Sequence, residues 1–135
     1  MLRMAMMAGL AVLFGTAAAA ARPEPPNPAG EKALAKLVGD RVAGAPVDCI
    51  STISASTMRV IEGTAITYQD GRTIYVNRPQ GGASRLDDDD ILVTEEWGAQ
   101  LCSIDSVRLV DRYTRGLRGF VVLGPFVPYT KAAAR

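Results

Sequence analysis

The chain's reactive groups fall into four sets. Asp87, Asp88, Asp89 and Asp90 stand in a row, Glu95 and Glu96 precede the single tryptophan Trp97, Arg108, Arg112, Arg115 and Arg118 cluster further on, and Cys49 and Cys102 are the only thiols. There is no histidine. Without imidazole the usual general base, the Ser-His and Cys-His nucleophile pairs and His-ligated zinc are excluded, so catalysis would rest on carboxylates, lysine, tyrosine or a thiol. The three lysines, Lys32, Lys36 and Lys131, lie outside the predicted sheet and offer a Ser-Lys dyad no site. Gly81-Gly82 after Arg78-Pro79 reads as a turn and not as a phosphate-cradling loop.

Each set has a bland reading beside a sharp one. Asp87 to Asp90 are a weak calcium candidate, because such a site wants carboxylates alternating with turn residues. Four in a row should point in different directions and form a solvated acidic turn ahead of a strand. Arg112, Arg115 and Arg118 could bind an anion such as lipopolysaccharide or an acidic glycan, or sit against that acidic turn within the molecule or a neighbour. Trp97 beside carboxylates could stack on a sugar, but the commoner role is an edge-of-core residue, here covering the disulfide region. Glu95 and Glu96 suggest a glycosidase pair only superficially, since neighbours on a strand face opposite ways.

Length and composition set the frame. A chain of 135 residues encloses one core. Met1 to Arg3 is a short basic start, Met4 to Phe14 is apolar, and Ala17 to Ala21 offers small residues, so residues 1–21 read as an export signal, with an uncleaved anchor as the alternative. Removing that segment takes Arg3 away and leaves 14 basic against 14 acidic residues. A balanced charge argues against nucleic acid, which demands an excess of Lys and Arg on one face. In an oxidising compartment an even cysteine count reads as a disulfide, and closing Cys49 to Cys102 is worth at most roughly 4 kcal/mol by chain entropy. Redox chemistry is disfavoured, because the thiols are far apart and Asp48 and Asp105 stand nearby.

The positioning elements follow from local pattern. Residues 22–30 hold four prolines and read as a linker. Asn27 followed by Pro28 signals a helix start, and Leu34, Leu37 and Val38 form one stripe, predicting a short helix near 29–38 that covers part of a sheet. From Val47 onward, β-branched and aromatic runs separated by turn residues predict strands at 48–52, 57–62, 64–69, 72–77, 91–95, 106–111 and 119–123. Asp70-Gly71 marks a hairpin. A three-residue loop would bring Ile66, Tyr68, Ile74 and Val76 to one inward face, with Thr67, Thr73 and Tyr75 opposite. A two-residue loop would split that apolar set. A second hairpin joins Ser106–Asp111 to Gly119–Leu123 through the Arg112–Arg118 loop. The expected architecture is mainly β, a small antiparallel sheet or partly open barrel with one short N-terminal helix and one disulfide. It occupies residues 31–130 as a single domain, and residues 131–135 form a loose tail.

The order of the segments Val47-Asp-Cys-Ile50, Arg59-Val-Ile-Glu-Gly-Thr-Ala65, Tyr75-Val-Asn-Arg-Pro-Gln-Gly-Gly82, Leu101-Cys-Ser-Ile-Asp105 and Leu123-Gly-Pro-Phe-Val-Pro-Tyr-Thr130 resembles a family of small exported Gram-negative bacterial proteins of unknown function. The likeness spans about residues 41 to 130. Members often carry a second cysteine pair, and the matching positions here are Ala83 and Val121. The resemblance therefore implies a single bridge and two positions close in space; it brings no activity, cofactor or catalytic residue. Together these readings give an exported, periplasmic or secreted, non-catalytic binding or structural module. Its partner would be an unknown envelope component, with no cofactor and no stable membrane insertion after signal cleavage. A small carboxylate-dependent envelope hydrolase is the alternative, requiring two facing carboxylates with at least one pKa raised.

Overall fold

A computed structural model describes residues 24–132. The predicted signal at 1–21 and the end of the tail lie outside the described residues. The elements are helix α1 (Pro28–Val38) and strands β1 (Val42–Ala43), β2 (Cys49–Ser51), β3 (Thr57–Ile61), β4 (Ala65–Asp70), β5 (Thr73–Asn77), β6 (Ile91–Thr94), β7 (Gln100–Cys102), β8 (Ser106–Val110), β9 (Leu117–Val122) and β10 (Phe126–Thr130), with a 3-10 turn at Ala83–Arg85. All pairings are antiparallel: a five-stranded sheet ordered β1-β10-β5-β4-β3, a three-stranded sheet β6-β8-β9, and a ribbon β2-β7. The sheets do not close into a barrel. Among the described residues no helix is long and apolar enough to cross a membrane.

Helix α1 begins where the sequence signals it. The Asn27 side-chain oxygen accepts from the Gly30 amide at 3.4 Å, and Pro28 sits in the first turn, where a missing N–H costs nothing. The expected linker is shorter than residues 22–30, because Pro28 to Gly30 are helical and Gly30 is buried. A Cβ there would collide with the Thr64 side chain and the Glu62 carbonyl, so glycine lets the helix close onto the sheet. Glu24 is tied down as well, accepting from the Ser84 amide and hydroxyl at 3.2 and 3.0 Å. The domain thus takes in the end of the proline-rich stretch.

The central strands β4 and β5 of the five-stranded sheet are covered on both faces, which decides the register of their hairpin. Thr73 pairs with Asp70 and Tyr75 with Tyr68 around a two-residue Gly71-Arg72 loop, Gly71 at φ 56°. Ile66 and Tyr68 therefore face the three-stranded sheet, whereas Ile74 and Val76 face the helix. This corrects the single inward face expected for those four residues: all are buried, but in two different cores. Gathering apolar side chains on one side is favoured only when the other side is wet. On the helix side Leu34 and Val38 pack on Ala65, Ile74 and Val76. Between the layers lie Ile50, Ile66, Tyr68, Leu86, Leu101, Val107, Leu109, Val121, Leu123 and Phe126, with Phe126 edge-on to Tyr68 at 5.8 Å.

Three strands escaped the sequence reading. β1 and β7 are very short, and β10 contains Pro128, which argues against an interior strand. Yet β10 lies between β1 and β5. The Pro128 carbonyl accepts from the Gly44 amide on the β1 side, and β1 ends at Ala43, so the missing N–H falls where the ladder has already run out. The chain leading into β10 is fixed by Asn77, fully buried, whose side chain donates to the Gly124 carbonyl at 2.6 Å and accepts from the Gly124 amide at 3.0 Å.

Cys49 and Cys102 face each other across β2 and β7 and are joined, 53 positions apart in sequence and with Cα atoms 4.0 Å apart. Gly81 bridges Val122, and the Ala83–Arg85 turn packs on β9, bringing the segment around Ala83 against that around Val121.

Candidate functional site

The acidic turn and the arginines meet within the molecule. Leu86 is buried and starts the turn. The Asp87 carboxylate accepts from the Asp89 amide at 3.0 Å, and Asp90 turns inward to 6% exposure. Arg118 Nη1 reaches back from β9 to Asp90 Oδ1 at 2.8 Å and Asp87 Oδ2 at 3.3 Å, and Arg112 Nε donates to the Asp89 carbonyl at 3.1 Å. The Asp89 amide and then Arg118 hold the Asp87 carboxyl below its usual range, and the hydrogen bond to Asp90 raises Arg118.

One expectation for this region needs correction and another is decided. Asp87, Asp88 and Asp89 do not splay: their carboxylate oxygens lie within 4.8 Å of one another, without Asp90, the fourth calcium candidate. Asp90 instead shares the Arg118 guanidinium with Asp87. Of the two places offered for Arg112, Arg115 and Arg118, the acidic turn of the same molecule holds Arg112 and Arg118. Arg115 stands at the exposed tip of the 111–116 loop with φ 61°. Asp111 builds that loop by accepting from the Tyr113 and Thr114 amides at 2.8 and 2.7 Å, bonds that lower its pKa.

The carboxylates proposed for a hydrolase have structural partners. Glu95 pairs with Arg108 at 3.0 Å, Glu96 accepts from the Thr94 hydroxyl at 3.4 Å, and Asp105 accepts from the Cys102 amide at 2.7 Å, closing the turn after β7. Where carboxylates do shift, at Glu31, Asp87 and Asp111, the shift is downward, the direction opposite to that needed by a general acid. Glu31 is lowered chiefly by its two-pronged hydrogen bond from Arg78, at 2.5 and 2.9 Å, which ties the helix to the end of β5. Tyr68 shifts upward through burial and then the negative charge of Glu96, and its hydroxyl is buried without a hydrogen-bond partner.

Trp97 is the largest departure from expectation. It does not cover the disulfide: it projects from the 95–99 connection between β6 and β7 and is 94% exposed. Because Val107, Leu109 and Val121 point into the core, the alternation of β8 and β9 turns Arg108 and Phe120 outward as a directly opposed pair. Trp97, Ile104, Phe120 and Val93 then frame a cleft of about 460 Å³ whose polar lining is Glu95, Asp105, Ser106 and Arg108. Phe120 is 47% exposed. Its place here was hidden because Phe120-Val121-Val122 is a continuous apolar run; the Arg108 of the opposing strand was the available clue.

A wider cleft of about 770 Å³ lies between α1, β3 and the acidic turn, lined by Lys36, Leu37, Met58 to Ile61, Asp88, Asp90, Leu92 and Arg112. Two of its charged groups, Asp90 and Arg112, are already engaged in fold-holding contacts. In the Trp97 cleft Arg108 and Glu95 also pair, but both heads stay exposed beside an uncovered indole, which makes it the stronger candidate. No protein-family model, no curated protein and no solved structure matches this chain.

Proposed function

We propose that this protein is an exported, non-catalytic binding module that acts in the periplasm or outside the cell and meets an envelope component through the outer face of β6-β8-β9 around Trp97. The observation that carries this reading is the uncovered Trp97, with Phe120 and Ile104 beside it, in a fold whose other large apolar groups are mostly packed into two cores. Aromatic anchors next to an arginine are what binding surfaces use most. The disulfide suits an oxidising compartment, and the leader-like start and the family resemblance support export.

The test is capture from envelope extract by the immobilised, disulfide-bonded domain. Trp97→Ala and Phe120→Ala should each lose the captured component, and Tyr113→Ala, at the remote loop tip, should keep it. Unchanged capture by the first two variants, or a cellular protein with both thiols free in the cytoplasm, overturns the reading.

A further inference from the structure

The size and polarity of the Trp97 cleft restrict its occupant. At about 460 Å³ it falls in the range of small-ligand sites. The centre of a protein-docking patch is depleted of charge, yet the floor here carries Arg108 paired with Glu95 at 3.0 Å, with side chains 43% and 77% exposed, so both heads remain open to a ligand. Ser106 adds a hydroxyl at the rim, beside the Asp105 carboxylate, which already accepts from the Cys102 amide at 2.7 Å. A site made of flat apolar faces alternating with donors and acceptors matches a molecule with the same alternation: a pyranose ring, whose C–H face is apolar and whose edge is all hydroxyl. Glu95 and Asp105 outnumber Arg108, which disfavours anionic sugars and the anionic surface of a bilayer.

Resting on the reading of this face as the binding surface, we propose that the cleft holds an uncharged glycan, one sugar ring stacked on the Trp97 indole and its hydroxyls bonded to Arg108 and Glu95. The ring displaces water from the indole, Arg108 donates to a sugar oxygen, and Glu95 accepts from a neighbouring hydroxyl. Phe120 and Ile104 flank the ring as apolar walls. The strands that carry Arg108 and Phe120 are fixed by their buried neighbours, so most of the floor is ordered before the ligand arrives.

Trp97 is the only tryptophan, so the fluorescence of the native protein reports on this cleft alone. The oxidised protein is titrated with a tetramer of N-acetylglucosamine, with cellotetraose, with oligogalacturonate as a carboxylated counterpart, and with vesicles of phosphatidylethanolamine and phosphatidylglycerol, each followed also by calorimetry. The expected result is a saturable blue shift with at least one uncharged oligosaccharide. Affinity should fall about tenfold or more in Trp97→Ala and in Arg108→Ala, without change in Tyr113→Ala and with the melting temperature of Trp97→Ala retained. Silence with both uncharged oligosaccharides, tighter binding of oligogalacturonate, a response to vesicles alone, or Trp97-dependent self-association in the ultracentrifuge overturns the assignment. If the glycans are silent and Trp97→Ala still abolishes envelope capture, only the ligand class is wrong. If capture is also indifferent to Trp97, the face itself is not the binding surface.

Discussion

The two larger sheets alternate in the same way but differ in what lies on their second face. In the five-stranded sheet, β4 and β5 bury both faces, one under α1 and one against β8 and β9, and even Thr67 and Asn77 are enclosed. In the three-stranded sheet only Val107, Leu109 and Val121 are buried, and Arg108, Phe120 and Val122 face out. The centre of the first sheet has spent its side chains on stability. The second has one face left for recognition, and the only tryptophan stands beside it.

That contrast can be broken most forcefully from the layer between the sheets. Phe126→Ala should cost about 3–5 kcal/mol in denaturant unfolding, because a fully buried ring leaves a cavity touching both sheets. A loss under about 1 kcal/mol would mean that the layers are not tightly packed. Replacing Cys49 and Cys102 together by Ala should cost up to about 4 kcal/mol, the bond having closed a long segment in the unfolded chain. An equal stability of oxidised and reduced protein would show that the ribbon holds without its clasp.

Acid should separate the two regions more gently. Glu31, Asp87 and Asp111 titrate below their unfolded values, so their contribution is fully present above the unfolded carboxylate pKa of about 4 and is lost as pH falls through the depressed folded values. The denaturant midpoint should hold steady from pH 7 to about 5 and decline below about 4. Arg118→Ala should lower the midpoint at neutral pH, because Asp90 loses its counterion while staying buried, and should shrink the acid-dependent part that belongs to Asp87. A decline unchanged by that substitution would place the acid sensitivity in the Glu31–Arg78 contact and in the backbone amides that Asp87 and Asp111 accept from. The smallest effects are expected on the open face: Trp97→Ala should shift stability by no more than about 0.5 kcal/mol, and the half-buried Phe120→Ala by about 1 kcal/mol. A larger loss would make that face structural.

How far the sequence could be read depended on the distance over which each feature is decided. The helix was legible because Asn27, Pro28 and the Leu34 stripe are local, and most strands and the single disulfide followed from runs and counts. The hairpin faces were not, since Ile66 and Ile74 alternate correctly for either one or two buried faces, and only the helix lying across the sheet distinguishes them. β10 was masked by Pro128, whose tolerance depends on β1 ending 85 positions earlier, at Ala43. At the candidate site, Arg108, Glu95 and Asp105 were visible as charges, but their meeting with Phe120 requires the β8–β9 register. The exposure of Trp97 depends on where the 95–99 connection leaves the molecule, which no neighbouring residue announces. Arg118 and Asp90 are 28 positions apart, and the sequence offered their contact only as one option among several.

The outermost position of β3 carries a further cost for the cell. A strand whose outer edge has no strand partner invites copies of the same chain to pair along it and grow into insoluble stacks, and Met58, Val60 and Ile61 would favour such growth. Arg59 interrupts that run with a charge that repels an identical approaching strand.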